Sequence, residues 1–174
     1  ARMIKLPSLQ HSYSLVWSRD PALSLEWYED SPDLTPEQNA EARAKVDNER
    51  ARLLRVAQQT GNWQAITKPG EQPTAFTFRQ IDERDVARIH GDAEREQLGE
   101  LEIQHVFFLT AIESISNLPG VEVKRARGSK IADPKLIESL SALNHIITNG
   151  CTQLISEFVT VVIARARGAI DPLS

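Results

Sequence analysis

The chain reads as mainly α, with a helical bundle core over about 82–168, a small two- or three-stranded β element and an extended N-terminal arm. Three observations carry this reading. Capping residues mark helix starts at Thr35, Asp82 and Asp133. Apolar residues recur at spacings of three and four over 98–115, 136–147 and 154–163. Only 13–17 and 76–79 alternate with a period of two. Residues 1–34 are expected to form the arm with its strand, 35–81 a projecting charged helix plus a strand, and 82–174 the helical core. All belong to one domain, since 174 residues suffice for a single core that removes roughly 70% of the unfolded surface from water.

The first element is HSYSLVWS, where Tyr13, Leu15 and Trp17 face one way and Ser12, Ser14 and Ser18 the other. That is a half-buried strand, and its backbone N–H and C=O groups require a ladder partner. Two prolines then bracket Leu23, Leu25, Trp27 and Tyr28, so 22–29 form a loop or a single helical turn. Thr35, Pro36 and Gln38 follow in the order N-cap, N1 and N3. The threonine oxygen takes an orphan N–H, and Pro36 has none to waste. The helix should run to Thr60, where Gly61 supplies the positive φ that closes it. Val46 is the one large apolar residue in its first half, whereas Leu53, Leu54, Val56 and Ala57 cluster near its end. Such a helix is expected to pack by its last turns and project by its first.

A Pro69–Gly70 turn leads into a strand at 74–81, with Phe76 and Phe78 on one face. Its expected partner is Tyr13–Trp17, Val121–Lys124 or the edge of another molecule. Asp82 opens a short helix ending at His90–Gly91, and Asp92 opens the central helix, 93–117. Leu98, Leu101, His105, Phe108, Ile112 and Ile115 form the stripe of that helix. Residues 121–124 read as a short strand or extended loop. Asp133 and Pro134 start a helix that Asn149–Gly150 ends, and 152–167 form the last helix. The β-branched residues of that last segment leave a strand as its alternative.

Composition narrows the function classes. The formal charge of -4 provides no global attraction to nucleic acid or anionic membrane. Cys151 is the single cysteine and is expected to be a small buried residue; no disulfide can form within the chain. The start lacks a secretory apolar run, and the most apolar stretch, LISEFVTVVIA, is shorter than the ~20 residues a bilayer requires. The protein is therefore expected to be soluble and not secreted.

No reactive constellation emerges. His11, His90, His105 and His145 are scattered, and His105 reads as a core histidine. No phosphate-cradling glycine loop, nucleophile elbow or helical pair of metal-ligating histidines is present. We assign no catalytic, cofactor-binding or metal residue, expect no small-molecule substrate, and take the chain not to be an enzyme. Candidate partner-binding residues are the aromatics Tyr13, Trp17, Trp27, Tyr28, Phe76 and Phe78 and the basic run Lys124, Arg125 and Arg127, with Lys130 beside it. Aromatics outside a helical core suggest an interface. The basic run has three readings: a solvated loop, a dock for an acidic protein surface, and a nucleic-acid contact that the acidic chain as a whole opposes.

The run GNWQAITKPGEQPTAFTFRQIDERDVARI, followed by FFLTAIESISNL and DPKLIESLSALNHII, resembles the small accessory proteins of tailed bacteriophages. Tail-assembly chaperones share a comparable layout. The resemblance covers about 61–167 and implies a non-enzymatic part of the virion or of its assembly. That part would be a head, connector or tail accessory subunit, or a chaperone that coats a tape-measure protein. It implies homo- or hetero-oligomeric contacts through arm and strand exchange, and a location in the virion or the host cytoplasm.

Overall fold

The computed structural model describes residues 12–143 and 150–168. Residues 1–11, the first part of the arm expected over 1–34 and including His11, lie outside the described residues, as does 144–149 with His145 and Ile147. The chain is mainly α with one small antiparallel sheet. It divides into two compact units: residues up to Trp17 belong with those from Thr74 onward, and Ser18–Pro73 form the other unit. The strand at 75–78 lies in the same unit as the helices that follow it.

In the first unit, β1 (Tyr13–Val16), β2 (Ala75–Phe78) and β3 (Ile112–Ser116) form a sheet in the order β1-β2-β3. Tyr13 lies opposite Phe78 and Leu15 opposite Phe76, so the apolar alternation of both strands falls on one face. On the other face Ser14 and Thr77 share a hydroxyl hydrogen bond of 2.9 Å. The third strand differs from expectation. It is not 121–124 but the end of the segment read as the central helix. β2 needs ladder partners on both edges, and the Ile-rich segment 112–116 fills the second, with a register shift between Thr77 and Phe78 that leaves Glu113 as the extra residue.

Four helices complete this unit. α2 (Glu83–Glu96) starts with a capping box between Asp82 and Asp85. It passes through Gly91 without a break, since Val86, Ile89 and Ala93 continue one buried stripe across it. Its end comes at Gln97, which takes φ 55 while the Leu98 N–H reaches back to the Ala93 carbonyl. Glu96 and Glu100 therefore flank a break. α3 (Glu100–Ala111) is short because its last residues pass into β3. α4 (Lys135–Ser141) begins where Asp133 accepts from the Lys135 N–H, and α5 (Gly150–Ala166) is helical despite its β-branched residues. The sheet and α5 enclose the core: Phe76 lies 4.9 Å from Phe158 between ring centroids, and Phe78 lies 5.4 Å from Phe158 and 5.8 Å from Phe108.

The second unit is built on α1 (Pro36–Thr60), 25 residues long, with the expected Thr35–Gln38 capping box and a left-handed Gly61 at its end. Its buried residues are Asn39, Arg50 and Ala57, and Val46 and Leu53 on the same face are half-buried. The expectation that α1 packs by one end is corrected, since this face is contacted along its length and polar groups hold its first half. Asn39 accepts from the Tyr28 hydroxyl and the Ser31 N–H and donates to the Ser31 carbonyl. Segment 22–24 pairs with 66–68 through the bridge of Leu23 to Thr67, just after a 3-10 turn at Trp63–Ile66. Among the described residues, no helix is long and apolar enough to cross a membrane.

Candidate functional site

The nine residues singled out from the sequence divide into groups with different fates. Phe76 and Phe78 are sealed in the core at 1% and 0% exposure, Trp17 is 4% exposed, and Tyr13 is half-buried against the same cluster. They are core residues of their own chain, not a gripping surface. Physical necessity explains the correction: β2 is the central strand, with β1 and β3 on its two edges, so it has no edge to offer a neighbour. Tyr13 also stacks on Phe78 and carries the Arg165 guanidinium 4.0 Å from its ring centroid.

Arg125 is likewise spent within the chain. α3 ends with carbonyls that have no helical partner, and the Arg125 guanidinium donates to the carbonyls of Leu109 (3.2 Å) and Ile112 (2.9 Å). Arg79 donates to the Thr110 carbonyl at 2.7 Å, and both arginines donate to the backbone carbonyl of Lys130. Two guanidiniums thus cap the negative end of one helix. Burial first, and the neighbouring Arg79 second, push the Arg125 pKa down from the usual arginine value. Lys124, Arg127 and Lys130 remain exposed on the loop.

Trp27 and Tyr28 are in the second unit. The Tyr28 ring is half-buried, held by Asn39 and lying beneath the Arg43 guanidinium, which also pairs with Asp30. Trp27 is 52% exposed, the highest value among the large apolar residues described. It is nevertheless fixed in place, because the Arg50 guanidinium sits 3.3 Å from its ring centroid and that of Arg19 sits 4.7 Å away. Arg50 is itself buried and donates to the carbonyls of Ser18 (2.7 Å) and Glu26. One side chain therefore ties both ends of the 18–26 loop to α1 and carries an exposed indole.

Around this indole lie two adjoining hollows that share Ser24, Leu25 and Arg50. One, of about 370 Å³, includes Arg19, Asp20, Trp27 and Lys68; the other, of about 440 Å³, includes Val46, Glu49, Leu53 and Ile66. Arg19, Arg50 and Lys68 were not anticipated as site residues. Their separation in sequence hides their convergence, and the one available signal was a Trp in a loop that also carries Arg19.

Among the described residues, His90, His105 and Cys151 lie on separate helices. His105 is half-buried on α3, and burial lowers its pKa against an opposing effect of Glu102. His90 packs its ring against Phe107 on the neighbouring helix, 5.2 Å between centroids. Cys151 is half-buried, which raises its thiol pKa and keeps it protonated. Among the described residues, no three His, Cys, Asp or Glu side chains are grouped to hold a metal ion. No family model matches the chain, and neither a curated protein nor a solved structure does.

Proposed function

We propose that this chain is a non-enzymatic structural or assembly protein of a tailed bacteriophage, acting through protein–protein contacts in the virion or, before assembly is complete, in the host cytoplasm. The observation that carries this reading is the unequal use of surface in the second unit. α1 buries three of its 25 residues, and beside it Trp27 is held rigid while half of it faces outward. A helix gains most of its stability from the face it buries. One with this little buried surface leaves the remainder available to a neighbour, and Trp is among the residues enriched at the energetic centres of protein interfaces.

The contact surface in this reading is Trp27 with the outer face of α1, and strand exchange through β2 has no part in it. The N-terminal arm expected over 1–34 and the helical bundle core expected over about 82–168 are the architecture this role would use. Partners are further subunits, identical or different, with no cofactor. A chaperone role on a tape-measure protein is the narrower version of the same reading, since it would use the same exposed helix. The loop bearing Lys124, Arg127 and Lys130 is exposed and favours a second contact with an acidic partner surface; Arg125 is excluded from it because it caps α3.

The test is the mass of the full chain in solution at rising concentration, alone and mixed with proteins of a phage lysate. The expected result is a concentration-dependent oligomer or a defined complex that Trp27→Ala weakens. A chain that remains monomeric in every mixture overturns the proposal.

A further inference from the structure

We propose that the hollow beside Trp27 receives a carboxylate from a partner protein, with an apolar side chain of the same peptide segment entering the adjoining groove along α1. This rests on the assembly reading above and specifies the chemistry of the partner it would meet. Charge is the first argument. The hollow brings together three cations, Arg19, Arg50 and Lys68, and one carboxylate, Asp20. Asp20 is buried, accepts from the Ala22 N–H at 2.8 Å and offsets one of these three charges. An excess of positive charge therefore stands in a chain whose formal charge is -4. Arg19 and Lys68 are exposed, and neither forms an ion pair among the described residues.

Pre-organisation is the second argument. The Lys68 N–H donates to the Ala22 carbonyl and the Ser24 N–H to the Ile66 carbonyl, each at 2.8 Å, so the segments bearing Arg19 and Lys68 are laced together by backbone bonds. Arg50 fixes the same loop from α1. A ligand that enters such a site meets cations already in position, which lowers the ordering cost of binding. The adjoining groove supplies an apolar lining from Leu25, Val46, Leu53 and Ile66, and its volume of about 440 Å³ accommodates a leucine-sized side chain.

The same surroundings favour a peptide over a nucleic acid. A base would need the face of Trp27, and two guanidiniums already occupy cation–π positions on that ring. A polyanion would also lay further phosphates near Glu26 and Glu49, which line the adjoining groove, and near Glu29 and Asp30, which follow Trp27 in the chain. Those repulsions oppose the attraction of the cations. A peptide can offer one carboxylate and then a neutral apolar group.

The experiment follows the Trp27 indole N–H signal by NMR in the full chain, assigned through Trp27→Phe. The probes are an end-blocked peptide Gly-Ser-Glu-Leu-Ser-Gly, its Gln-for-Glu and Ala-for-Leu counterparts, and a ten-nucleotide oligothymidylate. The expected result is a saturable shift with the Glu-Leu peptide, about tenfold weaker binding on replacing Glu by Gln, and a similar loss in the Arg19→Gln/Lys68→Gln variant. Both positions are exposed, and unchanged amide signals of α1 and of 63–67 in the second unit check that this variant is folded; Lys68→Gln alone should show a smaller loss in the same direction. Equal binding of the Gln peptide, absence of any shift, or a response to the oligonucleotide in place of the peptide overturns the site. If the chain assembles with its partners but ignores the Glu-Leu peptide, the site falls and the assembly reading stands. If the peptide binds to a chain that never leaves the monomeric state, the site stands and the assembly reading falls.

Discussion

The two units are held together by different chemistry. All five phenylalanines of the chain, Phe76, Phe78, Phe107, Phe108 and Phe158, are fully buried in the first unit, whose sheet lies against α5. The second unit contains no phenylalanine, and its aromatic residues Trp27, Tyr28 and Trp63 are exposed or half-buried. Polar side chains share the interior there: Asn39 and Arg50 on α1 and Asp20 in the loop are buried alongside Ala22, Leu23, Ala57 and Ile66. Apolar burial is non-directional and tolerates repacking, whereas a buried amide or guanidinium loses much of its value when one partner is removed. The first unit should therefore fail as a whole, and the second by the release of individual loops.

The largest expected effect is in the first unit. Phe78→Ala removes the ring that meets Tyr13, Phe108 and Phe158 at once; it should cost about 3–5 kcal/mol, read as a fall in the denaturant midpoint of cooperative unfolding. A loss below about 1 kcal/mol, the level of a surface change, would show that the sheet is not seated on α5 as described. Next comes Asn39→Ala, which strands the Ser31 N–H and the Tyr28 hydroxyl and should cost about 1–3 kcal/mol. Hydrogen exchange is the sharper measure here, because amides of 28–34 should exchange faster while those of β2 and α5 keep their protection. Uniform acceleration in both units would erase the contrast between them. The smallest effect is a gain: Gly91 is mid-helix, away from positive φ, with open space where a Cβ would stand, so Gly91→Ala should stabilise by about 0.5–1 kcal/mol, visible as a higher melting temperature. A decrease would mean that α2 bends at this residue.

Local signals were legible where one residue does one job. The Thr35–Gln38 capping box, the Gly61 stop and the Asp82 cap all stand where the sequence places them, because each acts on backbone groups within four residues of itself. The pairing of Tyr13–Val16 with the 75–78 strand was also readable, through matching alternation. Gly91 misled for the opposite reason. Its helix-ending tendency of about 1 kcal/mol is outweighed by the buried stripe of Val86, Ile89 and Ala93 on either side of it. The candidate site was half visible: Trp27 stood out, but Arg50, 23 positions away in sequence, bears no local mark of turning inward.

By itself, the sequence determined the mainly helical character, the caps at Thr35 and Asp82 and the two alternating strands, since periodicity and capping are properties of neighbouring residues. Tertiary structure alone decided three other matters. It made Ile112–Ser116 a strand, because β2 had a second edge to satisfy. It turned Arg125 from a surface cation into a cap for α3, because orphan carbonyls lay within its reach. It gathered Arg19, Arg50 and Lys68 around one indole. Each outcome depends on which distant groups remain unpaired after the helices form, and that is a property of the folded chain that no local window contains.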